Sequence, residues 1–385
     1  MTTNYLFVFL LLLGACTLDM QNHHVTMSSL PRIGGAGASV DPGKFDADYP
    51  QMERWANAGV RGGIPIKDSL QLGATVTGMN SAAINQAINN CPSGQYVYLP
   101  NGNYTIDSSI NMKSDVFLVG ESLSGVVCTI TMTGGNAFFF NTGISQSGIY
   151  DITIQGGWGT PQYAWNFGLG SANSELPNNS NVSVKFKNSI DCFLDNVTIL
   201  NSAMHPVWVN ATHTTLRDLH VDGVHNKGGG AQGYLMILNA DNLITGCYFT
   251  HLRHFSIQGA NAKFNVVYDN EFEQELSFHT GDGGDNLVEK NLIALPADMW
   301  ENYYAIMGPW SSQHTLSEKP NYVYGNQCYH HNMEEAPLSP WSDAATVYYG
   351  PHMVKPIGHT AILDNFTPYS GGAPSGATLY AVTGN

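Results

Sequence analysis

Arg253, His254, Gln258, Glu275 and His279 fall in one short stretch of the chain, and their types can move protons and hold carboxylates. Three chemistries fit them. A histidine base, His254 or His279, beside the cation Arg253 suits removal of a proton next to a carboxylate. A tyrosine such as Tyr234 or Tyr303 would then protonate the leaving group. Alternatively, two carboxylates flanking a bond suit hydrolysis, and the candidates are Glu275 with Asp282 or Asp285. The third reading is binding without catalysis, in which Trp208 offers an aromatic face and Gln258 and Arg253 hold hydroxyls or carboxylates. Asp282 and Asp285 lie in Gly281-Asp-Gly-Gly-Asp285. That composition is normal for a turn and also compatible with a calcium ion, the one cofactor the sequence suggests.

These residues come together only if the chain repeats. Leu194-Asp-Asn-Val-Thr-Ile199, Leu216-Arg-Asp-Leu-His-Val221, Ile244-Thr-Gly-Cys-Tyr-Phe249, Val267-Tyr-Asp-Asn-Glu-Phe272 and Val288-Glu-Lys-Asn-Leu-Ile293 share one pattern. They begin at intervals of 22, 28, 23 and 21 residues. Positions one, four and six are apolar or small, apart from Asn270 and Asn291; the others are polar or turn-forming. Such a period with strand-like alternation predicts an all-β, single-stranded right-handed parallel β-helix. Val267 is then inward and Tyr268 outward, and Asn270 and Asn291 stack on consecutive coils. A second strand follows each repeat: Val207-Trp-Val209, Leu235-Met-Ile237, Phe255-Ser-Ile257 and Leu276-Ser-Phe278. If the apolar residues point in, one outward column sets His254 beside Glu275. Another sets Asn210, Leu238, Gln258 and His279 on successive coils, about 4.8 Å apart. Trp208, Met236, Ser256 and Ser277 lie between the columns. His220 and Glu271 are outward on a different face.

Composition narrows the function. The chain has 385 residues, 43% hydrophobic, with 41 Gly and only 12% charged residues. This suits many tight coils in one domain, expected to be monomeric. A net charge of −15 argues against a nucleic-acid partner. It disfavours a polyanionic partner less strongly, since a local basic groove can exist on an acidic protein. The apolar run Leu6 to Leu13 is too short to span a bilayer and suits a signal peptide. Leu13-Gly-Ala-Cys16 resembles a lipoprotein cleavage site, with Cys16 lipidated, although Met1 to Tyr5 lacks the usual basic residue. The expectation is a secreted or outer-membrane bacterial lipoprotein, periplasmic or at the cell surface, touching membrane only through that anchor. Residues 17–40 read as a tether, and 41–385 as the β-helix domain. Five further cysteines give no readable disulfide pairing, and Cys247 reads as a small core residue.

Along the body, 41 to about 95 form a cap whose leader includes Trp55-Ala-Asn-Ala-Gly-Val-Arg-Gly-Gly-Ile-Pro65. Asn80 to Asn90 predicts a capping helix with Ile84, Ala87 and Ile88 on one face. Strands follow at Tyr96-Val-Tyr-Leu-Pro100, Gly102-Asn-Tyr-Thr-Ile106 and Val116-Phe-Leu-Val-Gly120. Coils run to about 366, interrupted by loops at 155–181 (with Trp158 and Trp165) and 297–320. Asn326 takes the fourth repeat position in Val323-Tyr-Gly-Asn-Gln-Cys328, and a Gly/Pro-rich tail closes the end.

The run Asn80-Ser-Ala-Ala-Ile-Asn-Gln-Ala-Ile88, then Val97-Tyr-Leu-Pro-Asn-Gly-Asn-Tyr-Thr-Ile106 and Met112-Lys-Ser-Asp-Val-Phe-Leu-Val-Gly120, resembles the opening of the pectate-lyase-like β-helix superfamily. The resemblance implies that fold and an activity on polysaccharide; fold alone does not choose the reaction. Alginate- and chondroitin-type lyases of this fold place a Lys and an Arg on successive coils. Here Ser256-Ile-Gln-Gly-Ala260 and Leu276-Ser-Phe-His279 have neither at the matching places. The polygalacturonase pattern of Asn-Thr-Asp, Asp-Asp and Arg-Ile-Lys is also absent. Cleavage of a uronate-containing glycan by β-elimination is preferred, with hydrolysis and pure glycan binding as the alternatives.

Overall fold

Each copy of the six-residue motif turns a corner. Its third residue, Asn196, Asp218, Gly246, Asp269 or Lys290, is in the left-handed region, with φ of 55, 53, 66, 57 and 57°. Asn, Asp and Gly tolerate that conformation best. The bend resets the two-residue alternation, so positions one, four and six all face the core. The expected single strand is therefore two strands on two faces, as in Leu243–Thr245 followed by Tyr248–Thr250.

The computed structural model describes residues 41–162, 174–296, 305–307, 314–315, 317–330, 348–350, 367–368, 376 and 378–382. Cys16, the 17–40 tether, Trp165 and Tyr303 lie outside them. The described chain is a parallel β-solenoid of about nine turns. Three faces repeat. The first includes Gln95–Leu99, Val116–Gly120, Thr215–Arg217, Leu243–Thr245, Val266–Tyr268, Leu287–Glu289 and Asn321–Tyr324. The second includes Gly102–Ile106, Val126–Ile130, His220–Val224, Tyr248–Thr250, Glu271–Glu273, Leu292–Leu295 and Gln327–His330. The third carries His205–Thr212, Tyr234–Ile237, His254–Ile257 and Leu276–Phe278 in unbroken parallel order. Residues 297–320 do not simply loop out, because Ile306–Met307 continues this third face beside Leu276 and Ser277.

Asparagines hold the corners. Asn270 donates to Asn291 Oδ1 through its Nδ2 at 2.9 Å and its backbone N at 3.0 Å, and Asn291 repeats both bonds to Asn326. A second ladder, not expected from the sequence, joins Asn242, Asn265, Asn286 and Asn321 at the corner before the first face. Both satisfy turn amides and carbonyls that no strand reaches. Cys247 occupies the same slot as Asn270 one coil earlier, buried in the apolar core as expected. All five described cysteines are buried and free.

The helix Ser81–Asn90 covers the first coils, with Asn80 Oδ1 accepting from Ala83 N at 2.9 Å and Ile84, Ala87 and Ile88 buried. The preceding segment is more than a cap. Gln71–Thr75 adds a parallel strand to the first face beside Gln95–Leu99. Residues 51–67 run lengthwise along the corner, fastened about once per coil. Trp55 Nε1 donates to Asp285 O at 2.6 Å, Arg54 Nε to Asp241 Oδ1 at 2.6 Å, and Arg61 Nη2 to Asp191 Oδ2 at 2.5 Å. Lys67 pairs with Asp151. The half-exposed ion pairs contribute little individually; burial of Tyr49, Met52 and Trp55 contributes more. Tyr268 points out of the solenoid core as expected, but it is buried in a cluster with Trp55 of the strap and Tyr380. The sequence reading of Tyr268 as a tolerant surface residue is therefore wrong, since the element that covers it comes from far away in the chain.

Val267→Asp buries a carboxylate without partners and should abolish the folded state. Asn291→Leu strands the Asn270 amide and the Val267 carbonyl it served. It should lower the stability read from denaturant midpoints by about 2 kcal/mol or more, and Tyr268→Ser by about 2–4 kcal/mol. Unchanged midpoints would contradict the register and the ladder.

Candidate active site

The third face brings most of the predicted residues to one place. Tyr234 lies in register with His254. His254 Nδ1 contacts Glu275 Oε1 on the next coil, as the column predicted. The Tyr234 hydroxyl is 3.2 Å from His279 Nε2. The Arg253 guanidinium lies over the Tyr234 ring at 5.5 Å and donates to Gly228 O. His254, His279 and His314 form a column along the solenoid, with ring centroids 4.9 and 4.8 Å apart. Tyr234, Arg253, Gln258, His279, Thr280 and His314 line a cavity of about 360 Å³, walled on one side by Gly230 and Ala231.

Loops bury what a bare solenoid would expose. The 28-residue interval supplies 225–233, and the earlier insertion packs against it. His225 Nδ1 is 2.8 Å from Glu175 Oε2, and Asn226 Nδ2 donates to Leu176 O at 2.8 Å and Asn179 O at 2.9 Å. Trp158 packs edge-on to His225 and pins its loop there. Gly233 closes the wall with φ +78°, and a Cβ there would meet Asn226 O at 2.6 Å and Arg253 Cβ at 3.0 Å. The column of His254 and Glu275 is thus covered, and with it His279 at the end of the second column. His254 is 1% exposed, Glu275 0% and His279 7%, where exposed side chains were expected.

Burial sets the protonation states. His254 is held well below the ordinary imidazole range by burial first, then by His279, Arg253 and His314. Burial pushes the Glu275 carboxyl well above its ordinary range, opposed by hydrogen bonds and by Arg253. Glu275 also receives Gln274 Nε2 on Oε2, so both oxygens are engaged. His279 is lowered to about 3, by burial and then by His314 and Arg253. Its Nδ1 is buried without a hydrogen-bond partner among the described residues. Burial raises Tyr234 to about 12, so it keeps its proton. The set is a neutral imidazole, a protonated phenol and a guanidinium at one cavity (proton-transfer groups beside a carboxylate anchor).

Other predicted residues are elsewhere. Asp282 is fully buried and accepts from Gly284 N, Asn286 Nδ2, Asn321 Nδ2 and Ser317 Oγ, which makes it the organiser of its turn. Asp285, with φ +54°, accepts from Gln51 of the strap and pairs with Lys319. Neither is on the cavity lining among the described residues, and donors of the chain itself engage both carboxylates. Among the described residues no carboxylate lines the cavity. Trp208 is half-buried on the same face, in register with Met236, two strands before Ser256. Gln258 lines the cavity and accepts from Ser256 Oγ at 2.9 Å. The sequence reading missed His314, which no repeat marks, and His205, whose Nδ1 lies 3.0 Å from Tyr234 O. It also missed Gln274, whose Oε1 accepts from Leu252 N at 3.0 Å.

A three-faced parallel solenoid with this cavity is a pectate-lyase-like parallel β-helix. Residues 70–293 match the model of the rhamnogalacturonase A/epimerase, pectate lyase-like family, and the chain belongs to that family. Among solved structures, a pectin methylesterase in complex with a hexasaccharide is 10% identical, covering 70% of this chain and 92% of its own, with a TM-score of 0.43. A surface adhesin of Streptococcus pneumoniae is 14% identical over 64% of this chain and 66% of its own, with a TM-score of 0.42. The A-module of a mannuronan C-5 epimerase from Azotobacter vinelandii is 12% identical over 65% and 89%, with a TM-score of 0.23. No curated protein matches the chain.

His279, at about 3, and His205, at about 4, have folded pKa values below the ordinary 6.5. As pH falls, the unfolded chain takes up protons first. Their contribution to stability is therefore complete above about pH 6.5 and is lost as pH drops toward those folded values. The melting temperature of the native protein should fall across this window more steeply than that of His279→Asn. Parallel curves would mean that His279 is not held neutral.

Proposed function

We propose that the protein is a polysaccharide-active enzyme that cleaves a uronate-containing glycan by β-elimination at the Tyr234–Arg253–His279 cavity. The observation that carries this reading is neutral His279 on the cavity lining with Tyr234 and Arg253, its Nε2 3.2 Å from the Tyr234 hydroxyl and its Nδ1 without a hydrogen-bond partner among the described residues. Arg253 would hold the uronate carboxylate and take up the charge that develops when the C5 proton leaves. That carboxylate also offsets the positive charge beside His279 and makes it a better base.

The proton inventory closes within the pair. His279 Nδ1 takes the C5 proton, with Nε2–H donating to the Tyr234 oxygen. The Tyr234 O–H then protonates the departing glycosidic oxygen as the C4–O bond breaks and the C4–C5 double bond forms. The resulting phenolate recovers a proton from Nε2 across the 3.2 Å contact. His279 ends as the other neutral tautomer, which solvent exchange resets.

Hydrolysis by paired carboxylates has less support, because Glu275 is sealed behind His254 and no carboxylate lines the cavity among the described residues. Incubation with algal and plant polysaccharides should give absorbance near roughly 235 nm, from an unsaturated uronate, together with new reducing ends. His279→Ala and Tyr234→Phe should each lower kcat by ~10²–10⁴-fold. Reducing ends without absorbance, with the dominant loss in Glu275→Gln, would establish hydrolysis instead. Binding without either product would leave a glycan-binding module.

The proposal includes export from the cytoplasm with Cys16 lipidated, supported by Leu13-Gly-Ala-Cys16. Cys16→Ser should lose membrane association in the native host; equal partitioning of both forms would reject the anchor.

A further inference from the structure

The third face has a second concentration of positive charge, away from the cavity. Lys185 and Lys187 stand two residues apart on Val182–Ile190, so both point outward. In register, Lys185 lies between Phe139 on the coil before and Trp208 on the coil after. Its ammonium is 4.7 Å from the Trp208 ring centre, and both aromatic side chains are half-exposed. Lys187 is exposed and neighbours Asn210. Arg54, Arg61, Lys67 and Arg217 each pair with an aspartate. Neither Lys185 nor Lys187 has a carboxylate partner among the described residues, although the chain has twice as many acidic as basic residues, 30 against 15. Two like charges side by side on one strand repel, so this arrangement favours the arrival of an anion.

An open path links them to the cavity. From Lys187 the column continues through Asn210, Leu238 and Gln258, all half-exposed, to His279. The ladder is maintained by Leu238 N to Val209 O at 2.8 Å, Gln258 N to Ile237 O at 3.1 Å and His279 N to Ile257 O at 3.2 Å. Four coil steps of about 4.8 Å put the lysines roughly 19 Å from His279. An extended glycan several sugars long spans that distance, whereas a disaccharide in the cavity does not.

We infer that Lys185, Lys187 and Trp208 form a remote subsite for an acidic sugar of the same glycan chain whose reacting unit occupies the cavity. The inference rests on the uronate reading of the cavity given above. Trp208 and Phe139 supply faces for a sugar ring, and the ammonium groups supply point charges for its carboxylate. The lysines are partly exposed, so their contribution weakens as salt screens it. The subsite makes the protein selective for long, charged chains over short or neutral ones.

The test is calorimetric binding of dimers and hexamers of galacturonate, mannuronate, guluronate and glucuronate to the slow Tyr234→Phe protein. Adding Lys185→Gln and Lys187→Gln should weaken hexamer binding about tenfold or more at low salt, a loss of about 1.4 kcal/mol. The loss should shrink at high salt. Binding of the dimer and of a carboxyl-reduced hexamer should not change. Lys185→Arg with Lys187→Arg should retain hexamer affinity, which separates charge from folding. An unchanged hexamer affinity, or equal weakening of the dimer and the neutral hexamer, overturns the subsite while the cavity reading stands. If the Tyr234→Phe protein binds none of these oligouronates, the uronate reading itself fails and the subsite falls with it.

Discussion

Hydrogen bonding between successive coils, at about 4.8 Å per step, fixes which residues of this protein can meet. Every coil must return to the same place, so every corner must close with its amides satisfied. Two asparagine ladders do this, one ending at Asn326 and one at Asn321. Each asparagine before the last accepts from the coil before it and donates to the coil after it, so the corners are cooperative. Left-handed residues such as Asp269 and Asn196 make the bend, and a basic strap crosses several of the aspartates in these corners. The carboxylates that look available for chemistry in an acidic sequence are therefore largely structural. Asp151, Asp191, Asp241, Asp282 and Asp285 all serve turns or the strap.

The cavity follows from the same repeat with one departure from regularity. A regular coil would leave the Tyr234, His254 and His279 column in water. The longer interval at 225–233 lies against it, with Gly228 O accepting from Arg253 and Gly230 and Ala231 at the cavity wall, and the earlier insertion packs on that loop. Burial then changes the chemistry. It discharges the imidazoles, protonates Tyr234 and leaves Arg253 as the positive charge that an incoming carboxylate would meet. His254, Glu275 and Gln274 form a closed set behind His279. They orient the wall and do not face the cavity.

Much of this was legible in the sequence. The inward positions follow from alternation, and Asn270, Asn291 and Asn326 from their shared fourth slot. The pairing of His254 with Glu275 follows from the column. What was not legible depends on contacts between segments far apart. Tyr268 reads as a surface residue because the strap that covers it is some two hundred residues earlier. Asn242, Asn265, Asn286 and Asn321 sit where asparagine is ordinary loop composition, so their ladder leaves no local signal. His314 follows a coil whose described third-face strand, Ile306–Met307, is only two residues long, too short to show periodicity. The wall of His254, Glu275 and His279 reads as exposed for the same reason: loops that pack on each other do not announce it in either loop's sequence.

The central claim is that the glycan reacts at the third face, in the cavity bounded by Tyr234, Arg253 and His279. A crystal structure of the Tyr234→Phe protein with a bound oligouronate tests it directly. The account predicts a sugar carboxylate hydrogen-bonded to the Arg253 guanidinium, with the C5 carbon of that sugar against His279 Nδ1. A glycan seated on the strap side or the second face, with the cavity empty, would contradict it.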